Sequence, residues 1–251
     1  MSMEGPSRER VLLVGPYGSG KSHAWISLAK MLGRTHTEAA LHVLDTDNAA
    51  VRMLEAVPHA SEVFIHVNEC YEWPDYEHAL KAAALNAKPQ DWLIVDMIDK
   101  AWQAVQDYFI DQVFGTTSER FFLEARKEGT KGSPLAGEFG VNWNVINKLY
   151  YAWYNKVIRW PGHVLACTPG DPVNRATDNV DTVNLYGKTG VKPRGQKHLG
   201  HGFHTVLLLG EDSSGRYFST IKDRNREEVT HQNMRDFTLD YLKTIGHWTV
   251  A

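Results

Sequence analysis

The run Gly15-Pro16-Tyr17-Gly18-Ser19-Gly20-Lys21-Ser22 has the spacing G-x-x-x-x-G-K-S. Each residue type in it suits the binding of a phosphate chain. Glycines let the backbone turn tightly, so that successive N–H groups point at one anion. The lysine reaches the β- and γ-phosphates, and the serine hydroxyl is a ligand for Mg²⁺. The pattern carries this meaning only between a strand and a helix. Val11-Leu12-Leu13-Val14 is a short apolar run of the strand kind, and His23 to Leu32 is helix-compatible with Gly33 as its cap.

Further residues could complete such a site. Asp96 ends the apolar run Leu93-Ile94-Val95, where a carboxylate can hold Mg²⁺ through a water, the Walker B role. Asp99 is a weaker competitor because it lies past the strand end. Asp47 follows the run Leu41-His42-Val43-Leu44, and at a strand's carboxyl end it could orient or deprotonate an attacking water. Asp45 is its rival, and capping of the next helix is the plainer role for Asp47. Thr168 ends another apolar strand and could sense a γ-phosphate, or simply turn the chain.

Two basic stretches stand apart from the phosphate loop. From Thr182 to His204 the chain carries Lys188, Lys192, Arg194 and Lys197 and has no Asp or Glu. Such cations can neutralise nucleic-acid phosphates, or merely be solvated. His198, His201 and His204 recur every three residues, but Gly200 and Gly202 argue against a helix that would align them on a metal. Lys222 and Arg224 follow a predicted strand. Cations so placed could reach a neighbouring subunit's γ-phosphate, or form a solvated cluster.

Positioning these groups takes an alternation of strands and helices. Strands are predicted at 11–14, 41–44, 63–67, 92–96 and 163–168, with helices between them. The second helix should run to Val57, before Pro58, and the third from Pro74 to about Ala87. Residues 99–126 read as helical with a break near Gly115, and Glu128 to Gly140 reads as a loop. Trp143, Ile146, Leu149, Trp153 and Val157 share one helical face, which core packing explains. Pro169 to Gly202 has no apolar period and is expected to be a long loop. His204–Leu209 and Arg216–Lys222 form a hairpin about Ser213-Ser214-Gly215, and Met234, Phe237, Tyr241 and Ile245 suggest a last helix. The fold class is therefore α/β: a mostly parallel sheet flanked by helices, with a C-terminal antiparallel hairpin. Residues 1–9 are expected to be a flexible tail and 10–251 one domain.

Composition narrows the classes. With 251 residues, 43% of them hydrophobic, the chain can build one sizeable core. A net charge of -3 excludes a generally basic nucleic-acid binder, so any such contact must be local. Two cysteines supply no disulfide framework and no zinc spacing, which fits a reducing cytoplasm, the host's if the protein is viral. The polar start, Met1 to Arg10, predicts no signal peptide, and no apolar run approaches the ~20 residues that span a bilayer.

With these residues in place, the chain resembles the RecA-core ATPases, and among them the small phage RecA-like nucleotide-binding and single-strand annealing proteins. The resemblance covers most of residues 10–230. Its motifs are the phosphate loop, Leu44-Asp45-Thr46-Asp47, Leu93–Asp96, Gly187–Leu209 and Lys222-Asp223-Arg224. It implies a RecA-like fold that binds ATP and Mg²⁺ and hydrolyses ATP. Asp47 stands where the family has its catalytic glutamate, and Thr168-Pro169 replaces the family's Asn-Gln. The resemblance also implies single-stranded DNA as partner, contacted through Lys188, Lys192, Arg194 and Lys197. It implies a homo-oligomer in which Lys222 and Arg224 act in trans. Alternatives are a motor or packaging ATPase on duplex DNA, a slow nucleotide switch, and a kinase of a small substrate. A kinase needs an Arg-rich lid, and the sequence has no clear one.

Overall fold

A computed structural model describes residues 8–35, 38–55, 64–129, 134–137, 140–224 and 226–233. Its centre is an eight-stranded sheet in the order β10-β9-β8-β1-β5-β4-β2-β3. The strands are β1 (Arg10–Val14), β2 (Ala40–Asp45), β3 (Phe64–Glu69), β4 (Trp92–Asp96), β5 (His163–Thr168), β8 (Thr205–Asp212), β9 (Gly215–Asp223) and β10 (Gln232–Asn233). The ladders from β3 through β8 are parallel, and those joining β8 to β9 and β9 to β10 are antiparallel. The expected sheet and C-terminal hairpin are both present.

The continuous apolar runs follow from burial on both sheet faces. Successive side chains of a strand point to opposite sides. Leu12, Val14, Leu93 and Val95 enter one core with α3 (Trp73–Ala84), α4 (Ile98–Phe114) and α6 (Val141–Ile158). Val11, Leu13, Trp92 and Ile94 enter the other with α1 (Lys21–Thr35) and α2 (Ala50–Glu55). The aromatic stripe of α6 is core, with Ile146, Tyr150, Trp153, Tyr154 and Val157 buried. Gly115, in a left-handed conformation, ends α4 before α5 (Ser118–Lys127), where the break was expected.

Several expectations need correction. Gly33 lies inside α1 instead of capping it. The third helix starts at Trp73, with Pro74 in its first turn, and ends at Ala84. Glu9 does not belong to a loose tail: it is buried, and its carboxylate pairs with Arg226 at 2.8 Å. Pro134–Ala136 is a 3-10 turn within the expected loop. The stretch from Pro169 to Gly202 is structured. It holds an antiparallel ribbon of β6 (Gly170–Pro172) and β7 (Val191–Pro193), the helix α7 (Val180–Tyr186), and a 3-10 turn at Leu199–His201. These pieces are too short to show a period, and side chains fix them instead. The Asn179 side chain accepts from the Thr182 amide at 2.7 Å, and Tyr186 and Leu199 are buried. The final helix expected around Met234–Ile245 lies outside the described residues, as does the end of the second helix at Val57. Among the described residues, no helix is long and apolar enough to cross a membrane.

Candidate active site

Register places the chemistry along one edge of the sheet. Val14 pairs with Thr168, Cys167 with Asp96, and Asp96 with Asp45. The carboxyl ends of β1, β5, β4 and β2 therefore end in one row, neighbouring strands being ~4.8 Å apart. Ligands of open α/β sheets bind outside such an edge. The phosphate loop leaves β1 at this row and enters α1 at Lys21.

The loop backbone has the form that phosphate binding needs. Gly20 has φ 96°, a left-handed conformation that favours glycine. At Gly15 a side chain would meet the Leu209 carbonyl oxygen at 2.6 Å. The first turn of α1 contains no acidic residue, so its free N–H groups and positive dipole end are open to an anion. Lys21 is buried and donates to the carbonyls of Gly15 and Pro16, each at 2.8 Å. Burial lowers its pKa, while Cys167, Asp96, Asp99 and Asp47 act in the opposite direction.

Asp96 faces α1. The Trp25 indole N–H donates to its Oδ2 at 2.9 Å, and the side chains of Ser22 and Cys167 also lie against it. Burial raises its pKa, with Trp25 and then Ser22 lowering it. Its Oδ1 is buried with no hydrogen-bond partner. An orphaned carboxylate oxygen beside a serine hydroxyl fits Mg²⁺, which takes one or two carboxylates plus substrate phosphates in place of an all-protein cage. No group of three His, Cys, Asp or Glu side chains fit to hold a metal is found among the described residues.

The two aspartates after β2 have separate tasks. Asp45 is buried, and its carboxylate accepts from the Asp47 amide at 3.1 Å and the Ala50 amide at 2.9 Å. Asp45 therefore caps the entry to α2. Asp47 is exposed and has no capping bond, yet its charge acts on Lys21, Asp96 and Asp99. Thr46 fixes the turn between them: its hydroxyl accepts from the Met97 amide at 2.8 Å, and its amide donates to the Asp96 carbonyl at 2.8 Å. Asp99 lies in the first turn of α4, with Oδ1 buried and unpartnered, and burial pushes its carboxyl up to about 6.

Of the two roles open to Thr168, sensing a γ-phosphate or turning the chain, its hydrogen bonds fit the second. Thr168 is fully buried, and its hydroxyl donates to the Arg194 carbonyl at 2.9 Å. The basic loop looks different once folded. Lys188 pairs with Glu228 at 3.2 Å, Lys192 pairs with Asp178, and Arg194 pairs with Asp171 at 2.9 Å. The stretch has no acid of its own, but acids from its flanks meet three of its four cations. Lys197 is exposed.

Lys222 and Arg224 are not at this edge. Lys222 pairs with Val206, which pairs with Leu12, so the end of β9 sits toward the amino end of β1. Lys222 donates to the carbonyls of Phe203 at 2.6 Å, His201 at 3.2 Å and Gly200 at 3.3 Å. Burial lowers its pKa to about 8. Arg224 is exposed. Sequence reasoning missed Trp25 as a partner of Asp96. Its position four residues after Lys21, on the same face of α1, is the signal that could have found it.

No known family model matches the chain, and no curated protein matches it.

Proposed function

We propose that this protein is a Mg²⁺-dependent ATPase with a RecA-like core, whose turnover is coupled to single-stranded DNA binding and self-assembly. One observation carries the nucleotide reading: the loop Gly15–Ser22 joins a buried strand to α1 with Lys21 beside the aspartate that ends β4. Backbone amides and the start of α1 bind the phosphates, and Lys21 turns from the Gly15 and Pro16 carbonyls to the β- and γ-oxygens. Mg²⁺, when bound, would supply positive charge against the phosphates. Ser22 and Asp96 would hold it, and Trp25 fixes the Asp96 carboxylate. Asp47, exposed at the carboxyl end of β2, orients water for in-line attack and takes its proton.

The DNA and assembly parts rest on the resemblance and on the solvent-facing Lys188 and Lys197. DNA phosphates would have to displace Glu228 and Asp178 from the lysines they hold, which predicts a binding step that weakens as salt rises. The test is ATP hydrolysis by the unaltered protein and by Lys21→Ala, each with and without single-stranded DNA. Hydrolysis that Lys21→Ala abolishes and single-stranded DNA stimulates is the expected result. Equal turnover in the two proteins removes the phosphate-loop reading. Preference for duplex DNA supports a motor, and transfer to a small molecule supports a kinase.

A further inference from the structure

The candidate site is short of positive charge. Asp47, Asp96 and Asp99 all act on Lys21, the one phosphate-loop cation. A nucleoside triphosphate adds about four negative charges, and charge spread over the γ-phosphoryl oxygens calls for cations beyond one lysine and the metal. Lys222 is bound to carbonyls toward the other end of the sheet.

Arg194 is placed differently. Its amide donates to the Pro169 carbonyl at 2.9 Å, and its carbonyl accepts from Thr168 Oγ1 at 2.9 Å. Thr168 in turn accepts at its own carbonyl from the Gly15 amide at 3.2 Å. Two residue-to-residue steps thus join Arg194 to the first residue of the phosphate loop. Gly195 brings the chain against α4, where a Cβ would stand 3.4 Å from Asp99 Cα. Asp99 and Tyr17 of the phosphate loop are both close enough to act on the guanidinium charge. The side chain is anchored at one point, with Nε and Nη2 each 2.9 Å from the same Asp171 oxygen. That pair is about half exposed, and exposed pairs hold weakly, ~0–1 kcal/mol.

We infer that Arg194 is a cis sensor of the terminal phosphate, held off by Asp171 until a nucleoside triphosphate occupies the loop. The inference rests on the ATPase reading and names a residue that acts within it. When the triphosphate enters, the guanidinium exchanges one carboxylate oxygen for phosphoryl oxygens, which its planar fork matches in two bonds. A diphosphate has no group at that position, so the Asp171 pair persists. Because Arg194 directly follows the ribbon strand that carries Lys192, the exchange also reports the nucleotide's state to the basic loop. Thr168 has a part that its burial explains. Its hydroxyl does not touch phosphate but positions the arginine that does.

The test is equilibrium binding of ADP and of a non-hydrolysable ATP analogue, each with Mg²⁺, to the unaltered protein, Arg194→Ala, Arg194→Lys and Asp171→Asn. Arg194→Ala is expected to weaken the ATP analogue about tenfold or more, the loss of a charge-assisted pair, and to leave ADP unchanged. Arg194→Lys recovers part of the loss. Asp171→Asn strengthens the ATP analogue a few-fold, again with ADP unchanged, which a merely structural role would not produce. Parallel changes in both nucleotides, or none in either, overturn the inference. The ATPase reading then still stands if Lys21→Ala abolishes binding of both. If the unaltered protein binds neither nucleotide, both proposals fall. Should Arg194→Ala not fold, Asp171→Asn decides alone, and an unchanged preference between the two nucleotides refutes the sensor.

Discussion

The indole N–H of Trp25 donates to Asp96 Oδ2 at 2.9 Å, joining the helix that follows the phosphate loop to the strand end two ladders away. Both residues are buried. The bond stabilises the ionised carboxylate against the burial that raises its pKa. Trp25→Phe removes the donor together with one ring of a fully buried side chain, so it also opens a cavity. Asp96 should then be harder to ionise, and the Mg²⁺ concentration for half-maximal hydrolysis should rise several-fold. The fold should lose at least about 1.5–3 kcal/mol, the range for a hydrogen bond to a charged group, with the cavity adding to it. A metal titration beside thermal unfolding measures both, and an unchanged metal requirement would show that the Trp25 bond does not tune Asp96 for the metal.

Asp45 and Asp47 separate capping from catalysis. Asp45→Ala removes the acceptor for the Asp47 and Ala50 amides, so it should cost about 0.5–2 kcal/mol of stability. Asp47→Asn loses no cap and should change stability by less than ~0.5 kcal/mol. Its hydrolysis should fall by roughly 10²–10⁴, with nucleotide binding retained, because the lost function is that of a base. Chemical denaturation and single-turnover kinetics on the two variants test the division. Slow hydrolysis with normal stability in the Asp45 variant alone would reverse it.

The sheet was legible in the sequence because a strand buried on both faces must be apolar throughout, and Val11–Val14 and Leu93–Val95 are. The phosphate loop was legible because its chemistry fixes a spacing. Asp45 and Asp47 were not separable, since the same carboxylate can cap or catalyse, and only the turn made by Thr46 decides which one faces the amides. The stretch from Pro169 to Gly202 read as structureless because α7 spans 7 residues and the ribbon strands 3 each, too short for periodicity. Its basic residues read as a free positive stripe because their partners, Asp171, Asp178 and Glu228, lie beyond the window that defined it.

Asp99 gives the site a pH dependence of known sign. Burial holds its folded pKa at about 6, above its ordinary 3.8, so folding disfavours the ionised form. The stability it contributes is full below pH 3.8 and is lost as pH rises through about 6. Asp99→Asn cannot ionise and should be more stable than the unaltered protein at pH 8, by about 1–2 kcal/mol once partial exposure is allowed for. The two should converge near pH 3. Denaturant melts across this range test it, and a constant difference at every pH would mean that Asp99 ionises freely in the fold.

Lys222 and Arg224 adjoin the end of one strand but should fail in different ways. Lys222 Nζ serves three carbonyls of the turn around Gly200–Phe203. Lys222→Met leaves them without that donor and should cost about 1–3 kcal/mol of stability. Any loss of hydrolysis should then follow the loss of folded protein. Arg224 is exposed, just past the end of β9 and toward the amino end of the parallel strands, whereas the phosphate loop lies beyond their carboxyl ends. In its own subunit it lies at the opposite end of the strands from the Gly15–Ser22 loop, so a catalytic part for it requires a second copy. Arg224→Ala should therefore keep stability and nucleotide binding and lose hydrolysis. Mixed with Lys21→Ala, it should recover partial activity, because some interfaces then pair an intact phosphate loop with an intact arginine. A mixture that co-assembles but stays inactive removes the trans role, and full activity in Arg224→Ala alone removes it without mixing.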